Sequence, residues 1–213
     1  MEAYSTVCGY GTGEIVEKKS RFIAEVFPVD SEEDVSAQIE KIKKQYWDAR
    51  HHCWAYVIGR NPGTERMSDD GEPAGTAGKP ILEVIRGKGL TDVLIVVTRY
   101  FGGTLLGTGG LVRAYTQAAA EGLSHAGILR KVQGVRLRIG TDYTGLGKIQ
   151  YILAQRDICI RDTVYTDRVE ILAEAAADGT DILKKEITEA TNGRAVIEEE
   201  GDCWLTVREQ PGE

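Results

Sequence analysis

Nowhere in these 213 residues does an apolar run approach the roughly 20 residues that a membrane-spanning helix requires. Cysteine is sparse: Cys8, Cys53, Cys159 and Cys203 lie far apart and form no Cys-x-x-Cys pair. Neither a structural zinc site nor a disulfide framework is indicated, and the four read as reduced, mostly buried thiols. The opening residues Met1-Glu-Ala-Tyr-Ser-Thr6 are acidic and lack the basic-then-apolar order of a signal peptide. A cytoplasmic protein with no membrane partner is therefore expected. With three histidines and no His-Glu-x-x-His, the helical zinc-hydrolase pattern is absent. Ser68 has no Gly-x-Ser-x-Gly setting, which removes the usual signature of a serine hydrolase. No cofactor is indicated.

The remaining composition is that of an ordinary globular protein, with 42% hydrophobic and 28% charged residues. The length allows one large or two small domains. Of the formal net charge of −7, residues 1–130 carry −2 and residues 131–213 carry −5. Such a chain is a poor nonspecific coat for nucleic acid, because phosphate contacts need lysine and arginine. Yet Arg50, Arg60, Arg66, Lys79, Arg86, Lys88, Arg99 and Arg113 all fall in the middle of the chain, along with 12 of the 25 glycines. Special backbone geometry, and with it function, is expected there.

The densest part of that region is Tyr100-Phe-Gly-Gly-Thr-Leu-Leu-Gly-Thr-Gly-Gly-Leu-Val-Arg-Ala-Tyr115. The apolar run Asp92-Val-Leu-Ile-Val-Val-Thr98 leads into a loop carrying Gly102, Gly103, Gly107, Gly109 and Gly110, and a helical pattern begins at once. Glycine near a helix start costs about 0.5–1 kcal/mol relative to alanine. An early arginine such as Arg113 opposes the macrodipole by about 0.3–1 kcal/mol. Both costs make sense if an anion sits on the bare N–H groups of Thr108–Leu111, within reach of Arg113 or Arg99. The alternative is a close-packed corner in which glycine lets backbones touch. Neither standard nucleotide motif is present. The lysine of a Walker loop is missing after Gly107, and valine stands where a dinucleotide fingerprint needs its third glycine.

The periodicity outlines the elements. Ser20–Val29 reads as a strand, and Ser31-Glu-Glu-Asp34 opens a helix through Tyr46. Cys53–Ile58 is a second strand, stopped by Gly59 and Asn61-Pro62-Gly63. A long loop, a short helix about Ile81–Ile85, the strand 92–98 and the helix 111–126 follow. A boundary is placed near Gly127–Val132, dividing domains 1–130 and 131–213. The second half reads β-α-β-β-α-β, with a hairpin at Asp167-Arg168 and a helix stop at Asn192-Gly193. This is the ferredoxin-like order.

A second candidate region joins Ala49-Arg-His-His-Cys-Trp-Ala55 to the polar loop Ser68-Asp-Asp-Gly-Glu-Pro-Ala-Gly-Thr-Ala-Gly-Lys-Pro80. Adjacent in a strand, His51 and His52 point to opposite faces. Asp69, Asp70, Glu72 and one histidine could hold a hard cation, or the loop's acids and glycines could serve only its turns. Gly75, Gly78 and the 102–110 loop could form two walls of one cleft. Arg50, Lys79, Arg99 and Arg113 would supply charge, with Tyr100 and Phe101 free to stack on a ring.

These blocks resemble the YigZ/IMPACT family. The resemblance rests on Arg50-His51-His52, Ser68-Asp69-Asp70-Gly71-Glu72-Pro73-x-Gly75-Thr76-Ala77-Gly78-x-Pro80, Thr98-Arg99-Tyr100-Phe101-Gly102-Gly103 and Leu106-Gly107-Thr108-Gly109-Gly110-Leu111-Val112-Arg113-Ala114-Tyr115. Together these span roughly residues 18–126. It implies an α+β protein of two domains. The first has the left-handed βαβ fold shared by a ribosomal small-subunit protein and the GHMP kinases. The second resembles the ferredoxin-like last domain of elongation factor G. Eukaryotic relatives are linked to control of translation initiation through a partner protein. A cytosolic, non-catalytic regulator of translation is therefore expected. It would bind RNA, a ribosome-associated or translation-factor partner, or a phosphate-bearing small molecule through Arg50, His52, Asp70, Glu72, Gly75, Gly78, Lys79, Arg99, Tyr100, Gly102, Gly103, Gly107, Thr108, Gly109, Gly110 and Arg113. The competing classes are a phosphotransferase or metal-dependent hydrolase using the Asp69–Glu72 loop, and a pure protein-interaction module.

Overall fold

The computed structural model describes residues 3–60 and 63–207. Asn61 and Pro62 of the expected turn, like the first two residues of the chain, lie outside the described residues. The protein is a two-domain α+β protein. Its contacts divide into one compact unit over Tyr4–Arg130 and a second that begins at Lys131.

The first unit contains β1 (Ala3–Val7), β2 (Gly11–Glu17), β3 (Ser20–Pro28), α1 (Glu32–Gln45), β4 (His51–Ile58), β5 (Thr64–Ser68), α2 (Gly78–Gly87), β6 (Val93–Tyr100) and α3 (Gly107–Ala126). Five of these strands form a sheet in the order β2-β3-β6-β4-β5, with every neighbouring pair antiparallel. Side chains alternate across it. Val93, Ile95 and Val97 of β6 join Cys53, Ala55, Phe22 and Ala24 beneath α2 and α3. Leu94 and Val96 face the other way, with Val35 and Ile42 of α1. Helices cover both faces, so β6 is a continuous apolar run rather than an alternating one. The Ser31 hydroxyl accepts from the Asp34 amide at 3.1 Å and caps α1 as its sequence predicts.

Two elements hidden in the sequence matter for packing. β5 occupies the stretch read as a long loop, and β2 precedes the first strand read. Gly11 and Gly13 weaken the strand signal of β2, and the structure shows why they are there. A Cβ on Gly11 would lie 2.3 Å from the Ala126 backbone nitrogen, and one on Gly13 would lie 2.5 Å from that of Gly122. The α3 backbone rests directly on β2, with the Gly122 position pressed against Ala24 and Val26 of β3.

The second unit begins within β7 (Ile128–Thr141) and continues through α4 (Tyr143–Gln155), β8 (Cys159–Tyr165), β9 (Val169–Ala176), a short 3₁₀ turn, α5 (Thr180–Ala190) and β10 (Val196–Val207). Its strands lie in the order β10-β7-β9-β8, the ferredoxin-like arrangement. Leu137, Ile139, Ile149, Leu153, Ile171, Leu183 and Ile187 form its core. α5 stops where Asn192 (φ 52°) and Gly193 (φ 72°) turn left-handed, the Gly193 amide donating to the Thr188 carbonyl at 2.8 Å. Among the described residues no helix is long and apolar enough to cross a membrane.

The glycine contacts set up a paired test. Gly13→Ala should destabilise the first unit by about 1–3 kcal/mol, because the added methyl meets unyielding backbone. Gly147→Ala, in α4 with nothing within 4 Å of its Cβ position, should stabilise the second by about 0.5–1 kcal/mol. Urea titration of each variant measures both.

Candidate functional site

The ends of β4 and β6, the loop before α2 and the loop before α3 are held together by a buried polar network. Arg99, the first residue of β6 beyond its apolar run to reach the α3 side, donates from Nη1 to Glu72 Oε1 at 2.7 Å. Their side chains are only 7% and 3% exposed. The Tyr115 hydroxyl of α3 donates to the same Glu72 oxygen at 2.8 Å. Cys53 Sγ of β4 sits 3.3 Å from that hydroxyl and 3.0 Å from the Asp69 carbonyl oxygen. Ser20 Oγ, also fully buried, accepts from the Gly102 amide at 3.1 Å. Aromatic rings complete the packing: Phe22 meets Tyr115 edge-on at 5.1 Å, and the Arg99 guanidinium lies 5.4 Å from Phe22 and 5.6 Å from Phe101.

Burial pushes the Cys53 thiol up to about 12; the Tyr115 hydroxyl opposes the shift and the neighbouring carboxylates reinforce it. Burial first, then Cys53 and Glu72, holds Tyr115 protonated far above its ordinary range. Neither group is poised as a nucleophile or base at neutral pH.

The acidic loop is equally committed to the protein itself. Asp69 accepts from the backbone amides of Gly75, Ala77 and Gly78 at 2.8, 3.0 and 2.8 Å. It thus fills the N-terminus of α2, which has no side-chain cap of its own. Burial opposes ionisation of Asp69, but those three N–H groups outweigh it and hold the carboxyl below its usual value. Asp70, at φ 40°, accepts from the His52 amide at 2.7 Å, with Lys43 3.7 Å away. The two histidines point apart, as strand alternation requires. His51 Nδ1 meets the Asp70 carbonyl at 2.9 Å, and His52 Nε2 meets the Tyr46 carbonyl at 3.2 Å. Among the described residues no three His, Cys, Asp or Glu side chains are grouped as metal ligands.

Several expected site residues are therefore structural. Arg99 is tied to Glu72 and is no free cation at the α3 start. The amides of Gly75 and Gly78 are taken up by Asp69. Gly78 is also a close approach, its Cβ position 2.9 Å from Ser68 backbone atoms. A Cβ on Gly102 would lie 2.0 Å from the Lys19 carbonyl carbon, so this glycine is a packing device. His52, Asp70 and Glu72 hold the loop to β4 and β6. Tyr115, Cys53 and Ser20 escaped the sequence reading because nothing in a small-residue helix face or a strand marks a polar atom as paired.

What stays open is the beginning of α3. Gly103 (φ 84°) and Gly107 (φ 73°) use backbone conformations that other residues adopt poorly. Gly107, Thr108 and Gly109 are exposed, and Gly110 is half-buried against Leu106. α3 has no side-chain cap and no acidic residue in its first turn. Arg113 is exposed and curls back, its Nη1 3.9 Å from the Cβ position of Gly109. Lys79 is exposed in the first turn of α2. Arg50 lines a separate cleft of about 280 Å³ with Asp48, Ala49, His51, Arg99, Tyr100 and Phe101. There the Tyr100 hydroxyl donates to Asp48 at 2.7 Å.

The fold and this arrangement define a two-domain α+β scaffold whose acidic loop is internally neutralised and whose glycine-rich helix start is bare. Comparison with known proteins gives the family. Residues 18–123 match the Impact N-terminal domain, and residues 139–194 match a domain of unknown function, DUF1949. The IMPACT family member YvyE of Bacillus subtilis is 43% identical over 93% of this chain and 92% of its own length. The IMPACT family member YigZ of Escherichia coli is 42% identical over 66% of this chain and 70% of its own. A crystal structure of a hypothetical protein superimposes with a TM-score of 0.61 at 33% identity, covering 99% of this chain and 100% of that one. The chain belongs to the YigZ/IMPACT family.

Removing one member of the buried ion pair leaves the other charge unpaired. Glu72→Ala and Arg99→Ala should each destabilise the first unit by about 3–5 kcal/mol, whereas the double change Glu72→Leu with Arg99→Met should recover much of the loss. Denaturant unfolding of the four proteins measures the loss and its recovery. The Cys53 shift has its own signature. Its folded pKa is raised, so the stability it contributes is complete below pH 9 and is lost as the pH rises through about 12. Unfolding free energy should fall across that window, and Cys53→Ala should flatten the fall.

Proposed function

We propose that this protein is a non-catalytic, cytosolic factor acting on translation, which binds RNA or a phosphate-bearing partner at the start of α3. The carrying observation is the contrast between its two neighbouring helix starts. α2 has a resident carboxylate, Asp69, on three backbone N–H groups. α3 has no side-chain cap and no acid in its first turn, but three exposed residues there and Arg113 beside Gly109. A helix N-terminus with a nearby guanidinium favours phosphate oxygens. Lys79, Arg50, Tyr100 and Phe101 supply further positive charge and rings on the same unit. The acidic second unit disfavours indiscriminate coating, so a structured or ribosome-associated RNA is the better target than bulk nucleic acid. The YigZ/IMPACT resemblance supports translation as the setting.

Catalysis by the Asp69–Glu72 loop is the weaker reading, because each of its carboxylates is held by the protein's own donors. A protein-interaction module remains the alternative if partner capture is indifferent to the α3 start.

Fluorescence anisotropy with a labelled stem-loop RNA, in parallel with titration of inorganic phosphate, tests the reading. Affinity for the RNA should weaken from low to moderate salt, reflecting released counterions. Arg113→Glu should abolish binding of both probes. Its stability should change by no more than about 1 kcal/mol, because Arg113 is an exposed side chain in the second turn of α3. Salt-independent RNA affinity, or full binding by Arg113→Glu, would remove the phosphate-contact model.

A further inference from the structure

On the opposite face of the same sheet, between β3 and α1, lies a cleft of about 290 Å³ lined by Tyr10, Glu25, Phe27, Gln38, Lys41, Ile42 and Gln45. Glu25 projects from β3 among apolar neighbours and is 3% exposed. One of its oxygens is occupied, Oε1 accepting from the Tyr10 hydroxyl at 2.8 Å. The other, Oε2, is buried and has no partner, and the same is true of Gln38 Oε1 on α1. Two buried acceptors without donors thus line one cleft. A buried acceptor left unsatisfied costs about 1–3 kcal/mol, and more when it is charged. Burial accordingly pushes the Glu25 carboxyl above its ordinary range, against the lowering effects of the Tyr10 hydroxyl and the Lys41 charge.

We propose that this cleft is a binding site for a primary ammonium group on an aliphatic stem. The match is one of donor count and shape. An ammonium carries three N–H donors. The cleft offers two acceptors without partners, Glu25 Oε2 and Gln38 Oε1, and the third donor of the ammonium is left to water at the mouth. A bare hard cation is a poorer fit, since calcium and magnesium ions require about six oxygen ligands. A guanidinium brings five donors in a planar fork to a site with two unpartnered acceptors. Buried Phe27 and Ile42 give the stem an apolar surface. The Tyr10 and Phe27 rings pack together in the same lining, tilted with centroids 5.3 Å apart.

The ammonium could belong to a free polyamine or to a lysine side chain of another protein, and the experiment separates them. Spermidine is titrated in one arm. A short peptide with a single lysine is titrated in the other, with the same peptide carrying norleucine as control. The full-length protein is followed by the amide resonances of residues 25 and 38 and by calorimetry. Saturable binding of spermidine, of the lysine peptide, or of both supports the site and names the source. Glu25→Gln and Gln38→Leu should each weaken it by about tenfold or more, the loss expected for a charge-assisted hydrogen bond. Lys41→Ala removes a competing ammonium from the rim and should bind at least as tightly as the parent. The proposal is overturned if neither probe binds saturably, if Glu25→Gln binds undiminished, or if Lys41→Ala binds more weakly. Because α3 lies against the other face of the sheet, none of these outcomes bears on the phosphate reading.

Discussion

The buried pair of Arg99 and Glu72 is the constraint around which the first unit is organised. Each would be costly alone in a low-dielectric interior, and together they require further donors to complete their shells. Tyr115 donates to Glu72 and Ser20 accepts from Arg99, so the surrounding elements are drawn together. Tyr115 fixes α3 to the loop before α2, Cys53 ties that hydroxyl to β4, and Ser20 draws in the turn that starts α3. The nine-residue loop between β5 and α2, rich in glycine and acid, thereby becomes a defined part of the fold. This network explains why the motif blocks of the family are scattered along the chain yet meet in space. Many of their residues speak to one another rather than to a ligand.

With the acids neutralised internally, the two helices on that face of the sheet acquire different characters. α2 is capped by a carboxylate at its N-terminus. α3 is not, and its glycines divide into two kinds. Gly122, like Gly11 and Gly13 of the facing strand, is present because backbone touches backbone there. Gly103, Gly107 and Gly109 have no such neighbour and shape an exposed turn instead. The proposed function rests on the second kind alone.

The legible part of this protein was the part encoded by local rules. The Ser31 cap, the alternation that sends His51 and His52 apart, the Asn192-Gly193 stop and the β-α-β-β-α-β order all follow from neighbours within a few positions, and each is present in the structure. β2 and β5 were missed because their residue choice answers to distant partners: Gly11 and Gly13 to α3, and the polar strand Thr64–Ser68 to an edge exposed to water. The motif blocks around Glu72 were legible in the sequence, but their wiring was not. Arg99 looks like any arginine near a glycine loop until Glu72, 27 positions away, is seen beside it. Glu25 and Gln38 gave no signal at all, since an unsatisfied atom is a property of packing and not of sequence.

Asp69 has a consequence for the energetics of recognition. By supplying its own anion to α2, the chain freezes the 69–78 segment without help from outside. Any molecule that docks nearby meets a surface already ordered, and loses little of its affinity to immobilising that loop. Association at such a surface should be quick and nearly rigid, closer to a key entering a cut lock than to a hand closing on an object.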